Sequence, residues 1–309
     1  MAEAEILTLG EPLIEMVRLP GAPGVPALYQ QGVGGDTLNA AVAAARAGGR
    51  AGLLGAVGGD LLGDAVRGFC AEAGVATAHL LCRTEDPTGV NVIDPDPAGR
   101  RFAYARRGSA ASLYGPGDLP VAAIEAARVL HVSAVSQAIS VPMREAVQRA
   151  AEIARAAGTL VSYDLNLRLS LWSLEEARAC ITAFLPMADI LLPSEDEAAL
   201  FLGHEDLEPA LAYFEALPAR HVIFKRGAAG AILLSEGRRT EIPAIPVEAV
   251  DSTGAGDCLA GTFLAGLVAG QSPLAAAQAA VRAAADTVSR YGATAPPVFA
   301  PPSGLGAGG

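Results

Sequence analysis

The 309-residue sequence holds one lysine, Lys225; every other basic residue is arginine. Positive charge is scarce altogether, since 22 basic against 33 acidic side chains leave a net charge of −11. That balance argues against a basic face for nucleic acid. Phosphate binding then falls to backbone amides, which work locally. The four cysteines, Cys70, Cys82, Cys180 and Cys258, form no C-x-x-C and read as reduced core thiols of a cytoplasmic protein. His79, His131, His204 and His221 show no H-x-x-x-H spacing, which argues against a histidine-built metal site. The longest charge-free apolar stretch, Cys258 to Gly270, falls short of the ~20 residues that cross a bilayer. The start, Met1-Ala-Glu-Ala-Glu5, has no cationic leader region and runs into a strand-like segment. Aromatics are few at 5%, but a hydrophobic content of 51% excludes disorder.

What is present is alternation. Apolar runs predict strands at Ile6–Leu9, Ala51–Val57, Val129–Ser133, Leu160–Asp164, Ile190–Leu192 and Val222–Lys225. Between them, helical patterns cover Asp36–Ala47, Leu61–Ala73, Val141–Ala157, Leu174–Leu185, Ala255–Ala269 and Pro273–Arg290. Asp36 reads as the cap of its helix, with Gly48-Gly49 as its exit, and Ser173 with Glu176 reads as a capping box. Continuous apolar strands between helices predict a doubly wound α/β fold, a mostly parallel sheet sandwiched by helices. The pattern predicts one domain over 1–299, and the Pro- and Gly-rich stretch 300–309 is expected to be a flexible tail.

Two stretches, within 12–33 and 88–112, break the alternation and read as extended, antiparallel material. In the second, Phe102, Tyr104 and Arg106 share one face by period two, and Asp94-Pro-Asp-Pro-Ala-Gly99 supplies the turn. A small β-layer of this kind is either a lid or an edge hairpin that extends the main sheet.

The sharpest motif is Asp251-Ser-Thr-Gly-Ala-Gly-Asp257, which opens an alanine-rich helix. Small residues at 254–256 allow close backbone approach, and first-turn amides converge on an anion. Asp257 is expected to be ionised there, favoured by the positive helix end. A carboxylate beside an anion hole suits the deprotonation of a hydroxyl that attacks phosphorus.

This stretch resembles the D-[ST]-T-G-A-G-D signature of the ribokinase-like (PfkB-type) carbohydrate kinases. Gly34-Gly35-Asp36-Thr37-Leu38-Asn39 resembles the other signature of that family, and the likeness runs from about Leu7 to Pro297. The resemblance implies that Asp257 is the catalytic base. It makes Gly254, Ala255 and Gly256 the anion hole, and Gly34, Gly35 and Asn39 part of the sugar site. It implies ATP and Mg2+ as cofactors; a monovalent cation near Asp251–Thr253, which some relatives use, is a further option. The absence of G-x-x-x-x-G-K-[ST] excludes a P-loop kinase. Lys225, Gly227 and Gly230 fall where such kinases run along the nucleotide. Ser194 stands in place of a usual asparagine, and Glu197 matches a glutamate that acts on magnesium through water. Three acids opening a helix, Glu195 to Glu197, read equally as compensation of its dipole.

Among members of the family, Gly10-Glu11-Pro-Leu-Ile-Glu15, Tyr104-x-Arg106 and Asp164-x-Asn166-x-Arg168 look most like the kinases of 2-keto-3-deoxygluconate. By position, Tyr104, Arg106 and Arg168 then hold a sugar acid and Asn166 borders the nucleotide. Arginine forks match carboxylates. Glu11 stands where many sugar kinases have an aspartate for sugar hydroxyls. A fructokinase or other neutral-sugar kinase is the nearest alternative, followed by a non-catalytic sensor on the same scaffold. A dinucleotide enzyme at Gly32-x-Gly34 lacks the third glycine. By analogy the lid also pairs two copies into a dimer.

Overall fold

The computed structural model describes residues 3–19, 26–96, 99–290 and 292–293. In chain order its strands are β1 (Ile6–Leu9), β2 (Leu13–Arg18), β3 (Tyr29–Gly34), β4 (Ala51–Gly58), β5 (Leu80–Arg83), β6 (Val90–Asp96), β7 (Gly99–Ala105), β8 (Val129–Ser133), β9 (Leu160–Asp164), β10 (Ile190–Leu191), β11 (His221–Lys225), β12 (Ala231–Ser235) and β13 (Arg238–Ile242). The helices are α1 (Asp36–Arg46), α2 (Leu61–Glu72), α3 (Val121–Ala126), α4 (Ala134–Ile139), α5 (Val141–Ala157), α6 (Leu174–Phe184), α7 (Glu195–Leu202), α8 (Leu207–Glu215), α9 (Ala255–Val268) and α10 (Pro273–Val288). Among the described residues no helix is long and apolar enough to cross a membrane.

Nine strands form one sheet in the order β13-β12-β11-β10-β9-β8-β1-β4-β5. It is parallel from β5 to β11 and ends in the antiparallel pairs β11–β12 and β12–β13. Alternate side chains feed two cores. Ile6 points toward the layer of α1, α9 and α10, whereas Leu7 and Leu9 join the layer of α5 and α6. The doubly wound sandwich expected from the apolar strands is therefore the observed fold. The edge hairpin went unseen because its turn is Glu236-Gly237, both at positive φ (54° and 70°), without the usual asparagine signal.

The two extended stretches form a separate four-stranded sheet, β3-β2-β6-β7, rather than an extension of the main one. One expectation needs correction. β2–β3 and β6–β7 are antiparallel, but the central pair β2–β6 is parallel, because each hairpin leaves the main sheet after a parallel strand and returns in the same sense. The turn at Pro97-Ala98 and the tail 300–309 lie outside the described residues.

Local capping also differs from the sequence reading. Gly35, not Asp36, is the N-cap of α1, and Asp36 is its first residue. Ser173 accepts from Glu176 N at 3.1 Å, which is half of a capping box. The complete box lies at Ser194 and Glu197. Of the cysteines only Cys70 is buried; Cys82 is exposed on the edge strand β5, so it is not a core thiol.

The small residues of α9 bring helices unusually close. A Cβ on Gly261 would sit 2.0 Å from the Ala40 carbonyl oxygen of α1. Gly261→Ala is therefore expected to cost about 1–3 kcal/mol by overpacking, read as a lower Tm. The same separation of α1 and α9 is expected to weaken the hydrogen bond between Asn39 and Asp257, read as a lower kcat.

Candidate active site

The polar residues that carry the site follow the C-terminal ends of the parallel strands, where the crossovers of an open α/β sheet leave a crevice. Glu11 follows β1, Asp164 ends β9, Ser194 follows β10 and Lys225 ends β11. The start of α9 closes the crevice. Gly254 is its N-cap at φ 75°, and a Cβ there would meet Ala293 at 2.3 Å, so only glycine fits the turn. No side chain caps this helix, leaving first-turn amides for a ligand. Asp251 organises the approach, accepting from Thr253 N at 2.9 Å and Gly292 N at 3.1 Å.

Asp257 lies in that first turn and accepts from Asn39 Nδ2 at 2.8 Å, joining the two signature segments across 218 residues. Its ionisation departs from the sequence reading. Burial pushes its pKa up to about 8, with the nearby Asp36 and Asp164 carboxylates adding to the rise and Asn39 and Lys225 opposing it. Part of the residue remains accessible from the cleft, but protein atoms crowd the carboxyl and desolvate it. The favourable helix end is thus outweighed, and the carboxyl holds its proton to a higher pH than an ordinary aspartate.

Lys225 is not a surface lysine. Its Nζ lies 2.8 and 2.9 Å from the two oxygens of Asp164 and 4.0 Å from Glu197. Burial lowers its pKa, but Asp164 and Glu197 outweigh that effect and the net shift is upward. A Cβ on Gly256 would lie 3.4 Å from that Nζ, so the ammonium adjoins the open helix end. Beside it a cavity of about 540 Å³ is lined by Lys225, Gly227, Gly230, Ala255, Gly256 and Leu259, with Ile245 and Val247 on its apolar wall.

Ser194 and Glu197 are held by each other: Ser194 N donates to Glu197 at 2.9 Å and Glu197 N to Ser194 Oγ at 3.2 Å. The acids opening α7 therefore serve the helix as well as the site. Arg168 extends to Glu197 at 3.8 Å with 54% of its side chain exposed. Among the described residues it shares no partner with Arg106, which pairs with Glu11. Asn166 follows β9 by two residues. Held at φ 26°, it donates to Asp36 Oδ2 at 2.9 Å and ties the β9 loop to the start of α1.

At the small sheet, Gly35 (φ 121°) turns the chain where a Cβ would strike the Glu11 carbonyl oxygen at 2.2 Å. Gly34 is buried against the carboxyl of Glu15. Arg106 follows β7, its guanidinium 5.3 Å from the Tyr104 ring centroid, and Tyr104 stacks on Phe102. Arg106 also pairs with Glu11 at 2.5 Å, with 12% and 2% of their side chains exposed. Several buried polar atoms have no partner among the described residues: Asn39 Oδ1, Asn91 Oδ1 and Arg106 Nε. Such atoms are normally satisfied by a ligand or water.

Sequence reasoning missed Asp36, Asp164 and Glu15 as members of this cluster. Asp164 was visible only as the first letter of D-x-N-x-R, and Asp36 was taken for a cap. Glu15 falls within the Gly10–Glu15 motif, but nothing local marks its place beside Gly34.

The model for the pfkB family carbohydrate kinases matches residues 5–299. The chain is 32% identical over 297 residues to a 2-dehydro-3-deoxygluconokinase of Thermoproteus tenax, covering 94% of this chain and 90% of the relative. It is 34% identical over 268 residues to a fructokinase of Klebsiella pneumoniae, covering 86% and 85%. Among solved structures, a putative ribokinase II from E. coli in complex with ATP and Mg2+ superposes with a TM-score of 0.86 at 28% identity, covering 94% of each chain.

Proposed function

Because the chain belongs to the pfkB family of carbohydrate kinases, we propose that it transfers the γ-phosphoryl group of ATP to the terminal hydroxyl of 2-keto-3-deoxygluconate. The observation that carries the transfer is the uncapped start of α9, with Asp257 in its first turn and Lys225 beside Gly256. Asp257 takes the hydroxyl proton as the oxygen attacks phosphorus. The amides of Gly256 and Asp257 and the Lys225 ammonium receive the charge that builds on the migrating group. ATP fits the 540 Å³ cavity, its base against Ile245 and Val247 and its phosphates toward Lys225.

Magnesium, when bound, neutralises charge between the β- and γ-phosphates. The described residues contain no cluster of three or more His, Cys, Asp or Glu arranged to hold a metal. Of the residues at the site, Glu197 and Asp164 would hold the ion through water.

The sugar-acid half of the reading rests on Arg106, whose buried Nε has no partner among the described residues and remains a donor for a carboxylate. Tyr104, Asn91 and Gly34 supply the remaining surfaces. One observation favours a neutral sugar instead: the Glu11 carboxylate already balances the charge of Arg106. The relative identified as a fructokinase is as similar as the relative identified as a 2-dehydro-3-deoxygluconokinase. An ADP-release assay on 2-keto-3-deoxygluconate and fructose decides between the two. The expected result is a higher kcat/KM for the acid; turnover of fructose alone refutes the reading. Arg106→Ala is expected to raise KM for the acid at least tenfold with a smaller change in kcat.

A further inference from the structure

The pairing of Glu11 with Arg106 joins the main sheet to the small sheet at the point where a substrate's far end would lie. Glu11 follows β1, and its backbone oxygen packs on the hinge glycine Gly35. Its carboxylate is 2% exposed, within 2.5 Å of Arg106, and accepts from Ser109 Oγ at 3.2 Å. The space it occupies exists because residue 89 is glycine: a Cβ there would come within 2.6 Å of Glu11 Oε1. Three segments, 10–11, 89 and 106–109, therefore cooperate to seat one buried acid against one buried base. The arginine is left with an Nε that meets no acceptor among the described residues.

We propose that Glu11 is a specificity-determining residue: as the counter-charge of Arg106, it sets how strongly the sugar site prefers an anionic over a neutral substrate. The inference rests on the reading that Arg106 faces the substrate. A guanidinium with an unused N–H orients a carboxylate, but with Glu11 already paired at its Nη2 the local charge is balanced, and Asp36 adds a further negative charge nearby. An incoming carboxylate feels both the attraction of the arginine and the repulsion of the glutamate behind it. At an effective dielectric near 20, a unit charge about 6–12 Å away, on the far side of the guanidinium, changes affinity by about one to two powers of ten. A neutral hydroxyl end does not feel this term. Desolvation raises the pKa of Glu11 while Arg106 and Ser109 oppose the rise, so the acid sits in a place where a neutral side chain of the same shape is well tolerated.

Glu11→Gln is the direct test, because glutamine keeps an oxygen for Arg106 and removes only the charge. Steady-state kcat/KM is measured for 2-keto-3-deoxygluconate and for fructose in wild type and variant, with Tm as a control. The expected result is a rise of about tenfold in the acid-to-fructose ratio, carried by a lower KM for the acid. An unchanged ratio, or a shift toward fructose, overturns the inference. The wild-type preference tests the proposed substrate separately, since the inference concerns the change in the ratio whichever substrate the wild type favours. If Glu11→Gln does not fold, Ser109→Ala decides. It removes one donor that keeps the carboxylate charged and should move the ratio in the same direction, about threefold; no movement overturns the inference.

Discussion

Asp257→Asn is expected to lower kcat by about 10²–10⁴-fold, the usual contribution of a positioned general base, with ATP still bound. Asparagine is isosteric and retains the contact with Asn39, so single-turnover rates fall while nucleotide affinity stays within a few fold. Wild-type-like turnover would remove Asp257 from the proton-transfer step. The wild-type pH profile carries the same signature. With the pKa of the free protein pushed up to about 8, kcat/KM should fall as pH drops below that value. Stability gives an independent check whose sign is opposite to that of an ordinary paired aspartate. The folded protein holds this proton between the ordinary pKa of 3.8 and about 8, whereas the unfolded chain has released it. The contribution of Asp257 to stability therefore declines as pH rises through that window. Asp257→Asn should cancel the decline, so the Tm of the variant exceeds that of wild type most clearly above pH ~8. A Tm difference that is flat with pH would show that the carboxylate is not desolvated.

Lys225→Met is expected to damage both folding and nucleotide binding. Its ammonium is the cation nearest Asp164, and the pair is almost fully buried, with 13% and 4% of the side chains exposed. Removing one partner of such a pair costs about 3–5 kcal/mol, since the other charge is left uncompensated. A fall in Tm and a rise in KM for ATP should appear together. Pairing Lys225→Met with Asp164→Asn separates the two effects. The double variant should recover most of the Tm, because the uncompensated charge is gone. It should not recover ATP binding, because phosphate has lost its cation. Recovery of both would reduce Lys225 to a structural strut.

How the site assembles explains which parts could be read in advance. The D-S-T-G-A-G-D segment is legible because it is local: glycine at 254, a helix after it and an acid in the first turn are all encoded within seven consecutive residues. Lys225 stands out because the chain uses arginine everywhere else. Asp36 was misread because its composition matches a cap, whereas the φ of 121° at Gly35 shifts the cap by one residue and leaves the carboxylate facing Asn166. Arg168 follows a motif shared with sugar kinases, yet its side chain reaches Glu197, because the β9 loop is pinned by the positive φ of Asn166 and no sequence pattern encodes that.

The amino-acid order alone settled the mostly parallel sheet with helices on both faces, marked two extended stretches outside the alternation without deciding whether they form a separate layer, and located the glycine-rich start of α9. Each of these follows from short-range periodicity, turn chemistry or a contiguous motif. Tertiary structure decided the raised pKa of Asp257, the burial of Lys225 against Asp164, the parallel pairing of β2 with β6 and the Glu11–Arg106 ion pair. These depend on charges and backbone brought together from segments dozens to hundreds of residues apart, and on water being removed from between them. Desolvation and long-range Coulomb energy have no counterpart in the order of letters along a chain.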